Sequence, residues 1–190
     1  HVRNVKRHKE YEIVFKRLYS YIKKTKTPNS LIYVAGDIVH AKTDMSPELI
    51  NVVSKFFREL ANLAPTIVIT GNHDCNLNNN YRLDALSPID YIKAEDFDGD
   101  YKIALHHGSV HNASTDAGFT LSNTHVTTEI FKGHDLVLLG DIHRPQFLDD
   151  EKTIAYAGSL VQQNHGEALG HGIMVWDLKT KKSEFIEIEN

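Results

Sequence analysis

Four short apolar runs punctuate the chain: 31–35 (LIYVA), 66–70 (TIVIT), 102–105 (KIAL) and 136–139 (LVLL). Runs of this length, bounded by Gly or a polar residue, predict buried strands. Helical periodicity fills the spaces between them. Glu10–Lys24 sets Ile13, Val14, Leu18, Tyr21 and Ile22 on one stripe. Ser46 caps a second helix with Pro47 in its first turn. Its core face is Leu49, Val52, Val53, Phe56, Leu60 and Leu63. Further on, the pattern predicts a short irregular helix at Asp84–Ile92 and another helix at Thr124–Phe131, with polar loops at Asn76–Asn80 and Ser109–Thr120. From Thr153 onward short strands dominate: Thr153–Tyr156, Gly172–Asp177 and Lys182–Glu187, the last two joined by a Lys-rich turn. The sum is an α/β chain, with helices alternating with strands and no visible boundary across residues 1–190.

Each apolar run delivers metal-binding side chains at its end. Gly36-Asp37-Ile38-Val39-His40 follows the first, Gly71-Asn72-His73-Asp74 the second, His106-His107-Gly108 the third and Gly140-Asp141-Ile142-His143 the fourth. Groups at the ends of buried strands converge on one edge of a sheet, where α/β proteins place their active sites. Asp37, Asn72, His107, Asp141 and His143 form a set of carboxylate, imidazole and amide donors without thiolate, which suits Mn, Fe or Zn in a catalytic site. They outnumber the needs of one tetrahedral ion. Two ions about 3.5–4 Å apart, bridged by a carboxylate, would use them all and suit in-line attack at phosphorus. Asp37 is the natural bridge. The placement implies a metal-dependent hydrolase.

These segments resemble the calcineurin-like metallophosphoesterases through GDxxH at Gly36–His40, GNHD at Gly71–Asp74, the HG pair at His107-Gly108 and a variant of GHxH at Gly140–His143. The resemblance implies a layered α/β/β/α sandwich, with two central mixed sheets flanked by helices, as a single domain over 1–190. That family also carries a DxH motif at the end of its first strand. Here His1 stands for the His of that motif, and the first strand and its Asp would lie before it. The metal ligands implied are therefore His1, Asp37, Asn72, His107, Asp141 and His143, and the cofactor is a pair of divalent ions, Mn first, with Fe, Zn and Mg as alternatives. Asp141 occupies a position where the family usually has His, and aspartate shifts preference toward harder ions. His73, His40 and Asp74 are the implied catalytic residues. His73 donates a proton to the leaving oxygen, and Asp74 either orients it or bonds the local backbone. No Ser or Cys occupies a nucleophile motif, in keeping with direct attack by water.

Two segments narrow the resemblance to the nuclease subunit of SbcCD-type DNA repair complexes. One is Leu138–Gln146, containing Asp141-Ile142-His143-Arg144-Pro145-Gln146. The other is Tyr156-Ala157-Gly158-Ser159-Leu160-Val161-Gln162-Gln163-Asn164-His165-Gly166-Glu167, of the form Y-x-GS-hydrophobic-x-Q-x-x-x-E. This implies a DNA exonuclease or endonuclease subunit acting in break repair or recombination, with DNA and an SbcC-like SMC-type ATPase as partners and a homodimer as an open option. The alternatives on the same scaffold are a phosphatase, a cyclic-nucleotide phosphodiesterase, and an inactive scaffold form. His165 and Glu167, within the second segment, are read as structural.

Charge and the remaining residues modify this picture only locally. The formal net charge of −4 is unusual for a DNA-binding protein. Ligand carboxylates account for part of it, and ions would neutralise them. Basic residues cluster as Arg3, Lys6, Arg7 and Lys9, directly after His1, and these are the candidate DNA-phosphate contacts. Lys23, Lys24 and Lys26 complement a helix C-terminus instead. His106 must point away from His107 in a strand and takes a packing role. The single Cys75 excludes an internal disulfide. No apolar run is long enough for a membrane span and no signal-peptide pattern occurs, so the expected setting is intracellular, cytoplasmic or nucleoid-associated, without a membrane partner.

Overall fold

The computed structural model describes residues 2, 7–41, 43–75, 101–163, 166–167 and 170–190. They fall into two compact units, His1–Asp98 and Gly99–Asn190. The expectations for Asn76–Asn80 and Asp84–Ile92 lie outside the described residues.

The first unit contains α1 (His8–Thr25), β1 (Ile32–Ala35), α2 (Pro47–Leu63) and β2 (Thr66–Ile69). Ser46 opens α2 as its composition requires: the hydroxyl accepts the Leu49 N–H at 3.2 Å, with Pro47 in the first turn. The apolar stripes of the two helices meet. Phe15 and Phe56 lie 4.3 Å apart, centroid to centroid, among buried Tyr11, Val14, Leu18, Val53, Phe57 and Leu60. Each such buried side chain stabilises the fold by about 1.5–3 kcal/mol. Strands β1 and β2 pair in parallel with Ile32 opposite Thr66 and Ala35 opposite Ile69. Equal strand ends in that register bring the segments that follow them side by side. Val2 bridges in parallel to Val39, its N–H donating to the Ile38 carbonyl at 2.8 Å.

The second unit carries β3 (Ile103–His107), β4 (Leu136–Gly140), β5 (Gln146–Phe147), β6 (Ile154–Tyr156), β7 (Gly172–Asp177) and β8 (Lys182–Glu187). One sheet has the order β3-β4-β6-β5, with β3, β4 and β6 parallel and β5 antiparallel to β6. β7 and β8 form an antiparallel hairpin. Leu136, Val137, Leu138 and Leu139 are all buried, as an unbroken apolar run in a central parallel strand should be. Val137, Leu139 and Tyr156 share a core with Val110, Ala113 and Phe131.

Parallel and mixed sheets combined with helices bear out the α/β class. Two elements differ from the sequence pattern. Thr124–Phe131 does not form an α-helix, and only Thr128–Phe131 coils, as a 3-10 turn. The Val126 carbonyl accepts the His111 N–H at 2.8 Å, which holds the preceding residues out of the helix. β5 was not expected, because two residues are too few to show an alternation. No helix among the described residues is long and apolar enough to cross a membrane.

Candidate functional site

In the first unit, the equal ends of β1 and β2 place Asp37 beside Gly71. Asp37 is buried, and its backbone is left-handed, with φ at 56°. Its Oδ1 accepts the His73 N–H at 2.9 Å. A Cβ on Gly71 would sit 2.1 Å from that same Oδ1, so only glycine lets the second strand end approach the carboxylate. Asn72 is exposed in the turn that follows.

Asp74 is fully buried and ties the two segments together. Its Oδ1 accepts the Val39 N–H and its Oδ2 the Gly71 N–H, each at 2.9 Å. Burial pushes its carboxyl above the usual carboxylate range, against the pull of those two N–H donors and with the charge of Asp37 adding to the rise. Its side chain thus bonds local backbone. The ring of His73 is oriented from elsewhere. Its Nδ1 lies 2.5 Å from the His40 carbonyl, which only accepts, so Nδ1 carries the proton. The His40 and His73 rings stack at 5.6 Å.

In the second unit, β3 and β4 end together, with His107 opposite Gly140. Asp141 follows at once with φ at 100°, a backbone conformation side-chain-bearing residues rarely adopt. The nearly buried His107 holds its Nε2 4.0 Å from Asp141 Oδ1. That is beyond hydrogen-bond length, and the two atoms are a carboxylate and an imidazole donor of the kind that hold divalent ions. Ser109 Oγ donates to Asp141 Oδ2 at 2.8 Å and leaves Oδ1 toward His107. The donor set of this pair fits a divalent ion. His106 packs its ring against Phe131 at 5.6 Å, and burial lowers its pKa.

His143 Nδ1 lies 2.8 Å from the Glu167 carboxylate, and Asp116 completes a group whose ligand atoms all lie within 4.8 Å of one another. The Asp116 carboxyl is held above its usual range, first by its own desolvation and then by the charge of Glu167. Asp116 gave no signal in the sequence beyond a polar loop. Its loop is anchored by Gln146, whose amide accepts the Ser114 N–H and donates to the Ser114 carbonyl, both at 2.8 Å.

Tyr156 fastens the turn after β3. Its hydroxyl donates to the Gly108 carbonyl at 2.6 Å and accepts the Val110 N–H at 2.9 Å, and burial pushes its pKa up to about 12. Gly158, at φ 75°, lies where a Cβ would meet the His143 carbonyl at 2.6 Å, and the Ser159 N–H donates to that carbonyl at 3.1 Å. The Y-x-GS residues therefore brace the segments that follow β3 and β4.

The first unit thus brings together Asp37, His40, His73 and Asp74, with Asn72 in the same turn. The second brings together His107 and Asp141, and joins His143 to Glu167. His1, Arg3 and Lys6 lie outside the described residues. Arg7 holds Glu10 at 2.5 and 2.8 Å and lies over the Tyr11 ring at 5.3 Å, whereas Lys9 is exposed.

A protein of Acanthamoeba polyphaga mimivirus, itself uncharacterized, is 44% identical over 236 residues, an alignment that covers 100% of this chain and 18% of that protein. The chain therefore spans about a fifth of the length of this relative. Residues 8–181 match the calcineurin-like phosphoesterase superfamily domain. With that match over most of its length, and with carboxylate and imidazole groups at its strand ends, the chain belongs to the calcineurin-like phosphoesterase superfamily, whose members are metal-dependent hydrolases.

Proposed function

We propose that the chain is a metal-dependent phosphodiesterase that cleaves DNA, the nuclease part of a repair or recombination machine working with an SMC-type ATPase. The observation that carries this reading is the bracing of the strand ends by Tyr156–Glu167. That segment bears the SbcD-like pattern; its Tyr156 holds Gly108, next to His107, and its Gly158, Ser159 and Glu167 each meet His143, itself a candidate ligand.

Asp37, Asn72, His107, Asp141 and His143, with His1, are the residues that would hold divalent ions, manganese first. Bound ions supply neutralisation of the phosphate charge and an activated water. The protein's own contribution is positional. The His40 carbonyl holds the His73 ring by its Nδ1 proton. His73 donates from Nε2 to the departing sugar oxygen as an imidazolium, since Nδ1–H is already committed. Ser109 holds one oxygen of Asp141 and leaves the other for a ligand. Exposed Lys9, with Arg3 and Lys6, supplies contacts to the nucleic acid backbone.

The expected result is manganese-stimulated cleavage of DNA by the full-length protein. Binding should weaken steeply with salt, because each neutralised phosphate releases counterions. Replacing Arg3, Lys6 and Lys9 with Gln should lower the salt slope by roughly one per lost contact while leaving hydrolysis of a small chromogenic diester intact. If the metal-loaded protein leaves DNA intact, with and without the ATPase, but hydrolyses small phosphate monoesters well, the phosphatase reading replaces this one.

A further inference from the structure

Glu167 is a carboxylate with a side chain only 3% exposed, in a stretch whose other features are explained by backbone bracing. A buried carboxylate is costly unless its oxygens are paired. Both are. Oε1 lies 2.8 Å from His143 Nδ1, and Oε2 accepts the Gln163 N–H at 2.7 Å. Behind it stands His171, whose Nε2 is 3.9 Å from Oε2, while its Nδ1 lies 2.9 Å from Ser159 Oγ. The oxygen that does not face His143 is therefore held by the Gln163 N–H, with His171 nearby but beyond hydrogen-bond length.

We infer that Glu167 is a positioning residue for His143, accepting the proton on Nδ1 so that Nε2 presents its lone pair as a metal ligand. This rests on the proposed reading of His143 as a ligand. An ionised carboxylate can only accept, so the short contact requires the proton on Nδ1. A neutral imidazole then has its lone pair on Nε2. A carboxylate partner also orients the ring, as such outer partners do for metal-bound histidines. The same segment fixes the His143 backbone, through Ser159 N–H and the close approach of Gly158. Ring and main chain are thus set by one stretch of sequence. A third ion held among Asp116, His143 and Glu167 is the competing account of the cluster. An ion bound through Nδ1 would displace the proton that the 2.8 Å contact with a carboxylate implies, so the tautomer separates the two accounts.

Two readouts test this, and the first needs no metal. In the metal-free chain, histidine-selective 15N NMR should show His143 as the Nδ1–H tautomer, and Glu167→Ala should mix the tautomers. In the second, manganese affinity by calorimetry should fall about 10–100-fold in Glu167→Ala, the usual effect of losing such a partner. Glu167→Gln, whose carbonyl can still accept from Nδ1–H, should keep the tautomer and recover part of the affinity. Should the Ala variant fail to fold, Glu167→Met, similar in length but without an acceptor oxygen, takes its place in both readouts. An unchanged tautomer in folded Glu167→Ala overturns the inference, as does wild-type affinity in both variants. Loss of one whole equivalent of bound ion, with the remaining affinity unchanged, favours the third-ion account and also overturns it. If His143→Ala binds manganese as wild type does, the reading of His143 as a ligand fails, whereas the tautomer experiment still decides the Glu167 contact.

Discussion

Asp37→Ala should abolish metal binding, while His73→Asn should keep it and lose roughly a hundredfold or more in turnover, the usual worth of a positioned general acid. The two residues are linked by one hydrogen bond, from His73 N–H to Asp37 Oδ1, yet their side chains have separate tasks. The Asp37 carboxylate would hold an ion, so its removal takes away charge and donor atoms. The His73 backbone would survive substitution and keep its contact with Asp37. What Asn cannot reproduce is a proton on Nε2. Metal content by elemental analysis, set beside kcat on a chromogenic diester, separates the two effects. A His73→Asn protein that has also lost its metal would place His73 among the ligands and remove it from proton transfer.

Asp74→Ala should destabilise the protein by about 2–6 kcal/mol, because it strands two buried N–H groups at about 1–3 kcal/mol each. Those groups belong to Val39 and Gly71, on the segments that follow β1 and β2. Asp74→Asn restores one acceptor but turns an NH2 toward the second N–H, so about half of the loss should remain. Chemical denaturation of both variants gives the numbers. The opposite pattern, wild-type stability with lost turnover, would move Asp74 from the scaffold into the chemistry.

Much of this architecture could be read from residue order, for identifiable reasons. β1 to β4 lie in apolar runs with no polar alternation to confuse them, although only β4 is buried along its whole apolar length. α2 begins at Ser46 because a capping hydroxyl and a first-turn proline are local signals. What escaped was set by distant contacts. The extended stretch before Thr128 depends on His111, and β5 on pairing with β6. Asp74 had two possible roles in the sequence, and the backbone bonds it makes depend on a fold that brings Val39 and Gly71 within reach. Glu167 lies 24 residues beyond His143 and reads there as one more acid in a motif. Asp116 sits in a polar loop with nothing local to mark it.

The left-handed backbone at Asp37 and Asp141 carries a consequence for directed evolution. Residues with side chains held in such conformations cost of order 1–3 kcal/mol each, and glycine would relieve that strain at both positions. A library screened for thermal tolerance alone should therefore drift toward Gly at 37 and 141, improving the scaffold as it erases two candidate ligands. Selection has to reward turnover as well as survival, since here a more durable variant and a working one pull the same two codons in opposite directions.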